Sequence, residues 1–145
     1  MAPKSIPAHF WYATNTARLG QAQWGPRGLF YLPRVREEIK IILDLDPGYA
    51  PVYALAGNVE YEVPRLFGGD LDRAEIMFRK GLKLDSRFTA LRVGLGKTLI
   101  KRRRLTEARL ELQAVLDEKE PRYPADWVMK DSKDARDILG AMEER

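Results

Sequence analysis

The chain has 145 residues, 45% hydrophobic, 32% charged and 10% aromatic, with 25 basic against 21 acidic residues and a net charge of +4. That length suits one domain or a few stacked helical units, and the mixture excludes both a disordered chain and a bundle of membrane spans. The absence of cysteine and a single histidine exclude disulfides, thiolate metal sites, cysteine nucleophiles and His-pair metal sites.

The opening stretch MAPKSIPAHFWY has no apolar core of signal-peptide length and no cleavage pattern. As written the chain is read as cytoplasmic, and as periplasmic if a leader has been removed. A first helix carries Trp11 and Leu19, followed by the insertion GQAQWGPRGLFYLP. The segment RVREEIKIILDLDPGYA reads as its partner helix, with Val35 in a small-residue place and Pro47 closing the unit.

Tyr53, Ala56, Gly57, Val59 and Tyr61 recur at helical spacing in the next helix. Pro64 and the Gly68–Gly69 pair then interrupt it, so VPRLFGG is an elaborated turn. A helix around Ala74, Phe78 and Leu82 follows, then one around Val93, Leu95, Gly96 and Leu99, then one around Ala108, Leu112 and Leu116. Ala74 and Ala108 are 34 residues apart, as are Phe78 and Leu112, and Leu82 and Leu116. Each triplet is a small residue followed by large apolar ones four and eight positions later, all on one helix face. In the tail Pro124 should break any helix. Asp131, with Asp134 three positions on, should cap a final helix at about 131–144, with Ala135, Ile138, Leu139 and Met142 on one face.

Few motifs invite chemistry. GLGKT (residues 94–98) lacks the first glycine of a phosphate loop, whose place holds Leu91, and falls inside a helix, so it reads as helix packing. KRRR (residues 101–104) reads as a solvated turn after a helix, and the pairs Glu37–Glu38 and Glu143–Glu144 as solvated faces. His9 has no second histidine and no carboxylate near it in sequence, so it is not assigned as a ligand or a base. Trp11, Tyr53 and Phe78 are assigned to the core. Trp24, Phe30, Tyr31, Phe67 and Trp127 either pack as a satellite cluster or form a contact surface.

The 34-residue period, with Tyr53, Gly57, Tyr61, Gly69, Ala74, Phe78 and Leu82 and then Leu95, Gly96, Ala108, Leu112 and Leu116, resembles the tetratricopeptide repeat family. That resemblance implies an all-α, right-handed superhelix of about three helix-turn-helix repeats (about 8–47, 50–86 and 89–120) with a C-terminal capping helix. The insertions, LPRVRE and PRLFGGD, resemble those of the T-component of TRAP transporters and related bacterial repeat proteins. In such proteins the first helices of successive repeats line a concave face. By register that face should present His9, Tyr12, Thr16 and Leu19, then Pro51, Ala54, Leu55, Asn58, Tyr61 and Glu62, then Ala90, Val93, Gly94, Lys97 and Lys101.

The expected function is non-catalytic: a scaffold that binds a protein or peptide, with an acidic segment as one candidate, through the groove or through Trp24 and Phe67 of the insertions. The alternative implied by the resemblance is an extracytoplasmic, TRAP-associated accessory protein that oligomerises and docks a solute-binding protein or carries a small apolar solute. No cofactor, metal or membrane insertion is expected. The interspersed acidic residues argue against nucleic acid.

Overall fold

The computed structural model describes residues 5–23 and 26–144, and among them every regular element is helical. In chain order these are α1 (Ile6–Ala22), α2 (Pro26–Leu29), α3 (Leu32–Leu45), α4 (Ala50–Glu62), α5 (Leu71–Leu84), α6 (Thr89–Lys101), α7 (Leu105–Asp117), α8 (Pro124–Asp126) and α9 (Ser132–Glu143). A 3₁₀ turn (Arg65–Phe67) joins α4 to α5, and a π turn (Trp127–Asp131) joins α8 to α9. The all-α class read from the periodicity is the class observed.

Local chemistry sets several of these boundaries. The Ser5 hydroxyl accepts the Ala8 N–H at 3.3 Å and starts α1. Asp70 accepts the Asp72 and Arg73 N–H groups at 2.8 and 3.2 Å and starts α5. Gly68, at φ 97°, adopts the left-handed conformation that ends the 3₁₀ turn. The turns after α3 and α5 repeat one geometry. Asp46 and Asp85 each accept the N–H two residues on through a side-chain oxygen, at 2.8 and 3.1 Å. Their carbonyls accept the Tyr49 and Phe88 N–H groups at 3.2 and 3.3 Å.

Helices pack as successive pairs, α1 on α3, α4 on α5 and α6 on α7, with α5 also against α6. The core runs through all three pairs and includes Ile42, Val52, Ala74, Phe78, Leu91, Leu95, Leu99, Ala108, Leu112 and Val115. The pairwise joint recurs in detail. A Cβ on Gly57 would lie 2.5 Å from the Phe78 ring, and one on Gly96 would lie 2.8 Å from Leu112. Ala74 and Ala108 are fully buried, each at the place where its helix meets a neighbour. Phe78 and Leu112, 34 residues apart in sequence, are therefore the large residues of the two joints.

Five readings need correction. Trp11 is not a core residue: it is 59% exposed, while Phe10 packs into the core edge-on to Tyr49 at a ring distance of 5.6 Å. Two adjacent aromatics differ by about 100° around a helix, so choosing the wrong one rotates the whole face. Glu38 is not solvated. It is 1% exposed, with Oε2 at 2.5 Å from His9 Nδ1 and Oε1 at 3.2 Å from Arg34. Folding thus supplies the carboxylate that His9 lacks in sequence.

Pro124 starts a helix rather than breaking one, since an N-terminal position tolerates its missing N–H. The path from Pro124 then continues through the π turn into α9. Asp131 accordingly has helical φ and ψ and caps nothing; its Oδ2 accepts the Thr89 hydroxyl at 2.8 Å. A final helix does follow, as α9 (Ser132–Glu143), packed on α7 and with Ala135 and Met142 buried. Trp127 pins the approach to it, donating from Nε1 to the Val115 carbonyl at 2.7 Å.

KRRR is not a freely solvated turn either. Arg102 and Arg104 reach Glu75 Oε1 at 2.8 and 2.7 Å, and Arg79 reaches its Oε2 at 2.9 Å. Burial opposes ionisation of Glu75, but the Arg79 and Arg104 hydrogen bonds outweigh it and hold the carboxyl below its ordinary range. GLGKT lies within α6, where the Thr98 hydroxyl donates to the Gly94 carbonyl at 2.8 Å.

Candidate functional site

The inner faces of α1, α4 and α6 enclose a groove of about 570 Å³. Its floor is apolar, built from Ala17, Val35, Leu55, Val59, Ala90 and Val93. Both insertions close one end, through Leu29 and Tyr31 from the first and Val63 and Pro64 from the second. Asp126, Lys130 and Asp131 close the other. Helical spacing explains the α6 contribution: Ala90, Val93, Gly94 and Lys97 form one stripe, and Gly94 also lies against the core, where a Cβ would meet the Phe78 ring at 2.4 Å.

Polar groups are set around this floor. Asn58 and Lys97 line the groove at mid-length. The Gln21 amide bonds the Glu62 carboxylate and ties the end of α1 to the end of α4. Thr14 contributes a buried hydroxyl with no hydrogen-bond partner among the described residues. Such a group is costly to leave unpaired and is satisfied when a ligand or water reaches it. Burial pushes the Asp131 carboxyl up, and the Thr89 hydrogen bond only partly offsets this. Lys130 is engaged by Asp134 at 2.8 Å.

The expected site residues divide into groups. Asn58 and Lys97 are in the groove. Tyr61 lies beside it and carries both lysines, Lys97 Nζ 5.2 Å and Lys101 Nζ 3.9 Å from its ring centroid. These cation–π contacts hold two ammonium groups together on one ring. Burial, then the Glu62 charge, raises the Tyr61 phenol above its ordinary value.

Tyr12 and Thr16 do not line the groove, contrary to the register expectation. Tyr12 lies under the Arg34 guanidinium at 5.2 Å, and the Thr16 hydroxyl bonds the Tyr12 carbonyl at 2.7 Å. The displacement of Trp11 by Phe10 explains this, because it turns Thr14, Ala17, Arg18 and Gln21 inward instead. Phe67 is 51% exposed on the 3₁₀ turn, outside the groove. Trp24 lies outside the described residues. Asp126 and Asp131 stand with Lys130 at the end of the groove away from the insertions.

Among the described residues no cluster of three or more His, Asp or Glu side chains is arranged to hold a metal ion. The groove combines an apolar floor with separate donors and acceptors, which suits binding of an elongated ligand with polar ends. Compared with known families and curated proteins, the chain matches no family model and no curated protein.

Proposed function

We propose that the protein is a non-catalytic interaction module, a short tetratricopeptide-like superhelix that holds a segment of a partner protein in this groove. The observation that carries the reading is the groove itself, built from the inner helix of each pair and lined along its length by Asn58, Lys97 and the unpaired Thr14 hydroxyl. The recurrent Gly57–Phe78 and Gly96–Leu112 joints support the repeat assignment. Apolar side chains of the bound segment would lie on the floor, and a carboxylate of the segment would meet Lys97 and Lys101 above Tyr61.

Capture with the purified protein, identified by mass spectrometry, supplies the partner. Affinity is then compared for wild type, Asn58→Trp, Lys97→Ala/Lys101→Ala and Phe67→Ala at two salt concentrations. Asn58→Trp should abolish binding by filling the groove. Each lysine should contribute about 1 kcal/mol or less, with binding weakened by salt. A complex indifferent to Asn58→Trp and to the lysine pair, but lost with Phe67→Ala, would move the site to the insertions.

A second reading, an oligomeric transporter accessory protein carrying a small apolar solute, is favoured by one feature. Both insertions contribute directly to the groove, through Leu29 and Tyr31 and through Val63 and Pro64. Native mass spectrometry with apolar solutes, together with the oligomeric state by light scattering, tests it.

A further inference from the structure

Three inter-helix turns lie side by side along one edge of the molecule, and direct contacts fix this. The Gln21–Glu62 bond joins the ends of α1 and α4. Arg36 Nη2 donates to the Gly68 carbonyl at 3.0 Å, joining α3 to the second turn. Lys101 lies over Tyr61, joining the ends of α6 and α4, and Arg102 pairs with Asp72 at the start of α5.

The tips of these turns are unusual in two independent respects. Phe30 and Leu66 are each 87% exposed, and Phe67 beside them is 51% exposed, so three large apolar side chains project from adjacent turns into solvent. The same edge carries exposed Arg27, Arg65 and Arg103, none of which has a carboxylate partner among the described residues, and Lys101 held on Tyr61. Most of the acidic groups nearby are paired with cations: Asp72 with Arg102, Asp70 with Arg73 at 3.9 Å, and Glu75 with Arg79, Arg102 and Arg104. Glu62, bonded to the neutral Gln21 amide, keeps its negative charge, but Arg27, Arg65, Lys101 and Arg103 outnumber it. What the edge offers outward is therefore net positive charge around projecting apolar tips.

We propose that this edge docks on an anionic lipid surface. Phe30, Leu66 and Phe67 enter the boundary between headgroups and acyl chains, and Arg27, Arg65, Lys101 and Arg103 meet lipid phosphates. No helix among the described residues is long and apolar enough to cross a membrane, so the contact is peripheral and made by side chains. Two cooperating signals, apolar insertion and basic attraction, are what reversible membrane attachment requires. A nucleic-acid platform would use flat rings for stacking, and aliphatic Leu66 cannot serve as one. A protein interface concentrates its anchors in a packed, desolvated centre, whereas projecting tips suit a soft medium that closes around them.

The test is flotation of the purified protein with phosphatidylcholine vesicles, with and without phosphatidylglycerol, at low and high salt. Anionic vesicles should bind about tenfold or more protein than neutral ones, and salt should reduce this. Arg27→Gln/Arg65→Gln should lower binding roughly fivefold per charge removed. Phe30→Ser/Leu66→Ser/Phe67→Ser should lower it by about tenfold or more. All five positions are exposed, so circular dichroism and the thermal midpoint should be unchanged. Leu110→Ser, 68% exposed on α7 and away from this edge, should bind vesicles as wild type does. Equal binding to neutral and anionic vesicles, or full binding by the triple serine variant, would overturn the proposal. So would a loss of captured protein or of oligonucleotide binding in these variants with no vesicle binding by wild type. No groove partner is present in this assay, so its outcome is separate from that of the groove reading.

Discussion

The Phe78 ring on α5 occupies the space that a Cβ on Gly57 of α4 would need, with Cε1 at 2.5 Å from that position. Gly57→Ala therefore forces a buried ring to move in a packed joint and should cost about 1–3 kcal/mol. Gly140 in α9 has nothing within 4 Å of its Cβ position. Gly140→Ala should stabilise by about 0.5–1 kcal/mol, because only backbone entropy changes. Chemical denaturation midpoints of the two variants check this contrast. Equal shifts would mean that the α4–α5 joint is not packed as described.

Glu75 is the shared partner of Arg79, Arg102 and Arg104 across α5 and the turn after α6. Glu75→Gln should cost about 1.5–3 kcal/mol at neutral pH, the range for hydrogen bonds to a charged group. The folded carboxyl lies below its ordinary value. Its stabilisation is thus fully present above the ordinary glutamate range and is lost as pH falls through the folded value. The difference between wild type and Glu75→Gln should shrink over that acid window. A constant difference from neutral to acid pH would contradict the ion-pair account.

The pairwise helices, the joints and the closing helix were legible in sequence because each rests on local spacing. Ala74, Phe78, Ala108 and Leu112 announce themselves by a repeated small-to-large pattern. The face of α1 was not, since Phe10 and Trp11 are adjacent and no glycine in that helix matches Gly57. Glu38 left a readable sign, as it shares a helical stripe with Val35, Ile39 and Ile42, all of them buried. The Thr89–Asp131 bond joins residues 42 positions apart, and no local pattern marks it. Half of the groove followed from the repeat, through Asn58 and Lys97, and the other half depended on how one helix is rotated.

Burial raises the Asp131 carboxyl above its ordinary value. A group protonated more readily in the folded state loses stability as pH rises from its unfolded value to its folded one. Asp131→Asn keeps an oxygen to accept the Thr89 hydroxyl and carries no charge to desolvate. The variant should be at least as stable as wild type at neutral pH, with a flatter stability profile through the mildly acid range. Thermal midpoints measured across that range decide it. A less stable variant with the wild-type profile would mean that ionised Asp131 is stabilised by its surroundings.

The rotation of α1 can be tested with its two adjacent aromatics. Phe10 packs on the core edge-on to Tyr49, while Trp11 is largely in solvent and touches Phe10 at its outer side, with ring centroids 6.2 Å apart. Phe10→Ala should cost about 2 kcal/mol, somewhat less than a fully buried phenylalanine, and Trp11→Ala about 0.5 kcal/mol. The same rotation turns Ala17 into the groove and leaves Thr16 outside it. Ala17→Trp should therefore weaken partner binding at least tenfold, and Thr16→Trp should leave it unchanged. If Trp11→Ala is the more damaging variant and Thr16→Trp blocks binding, α1 is turned by one residue from the orientation described, and the groove is lined by Tyr12 and Thr16 after all.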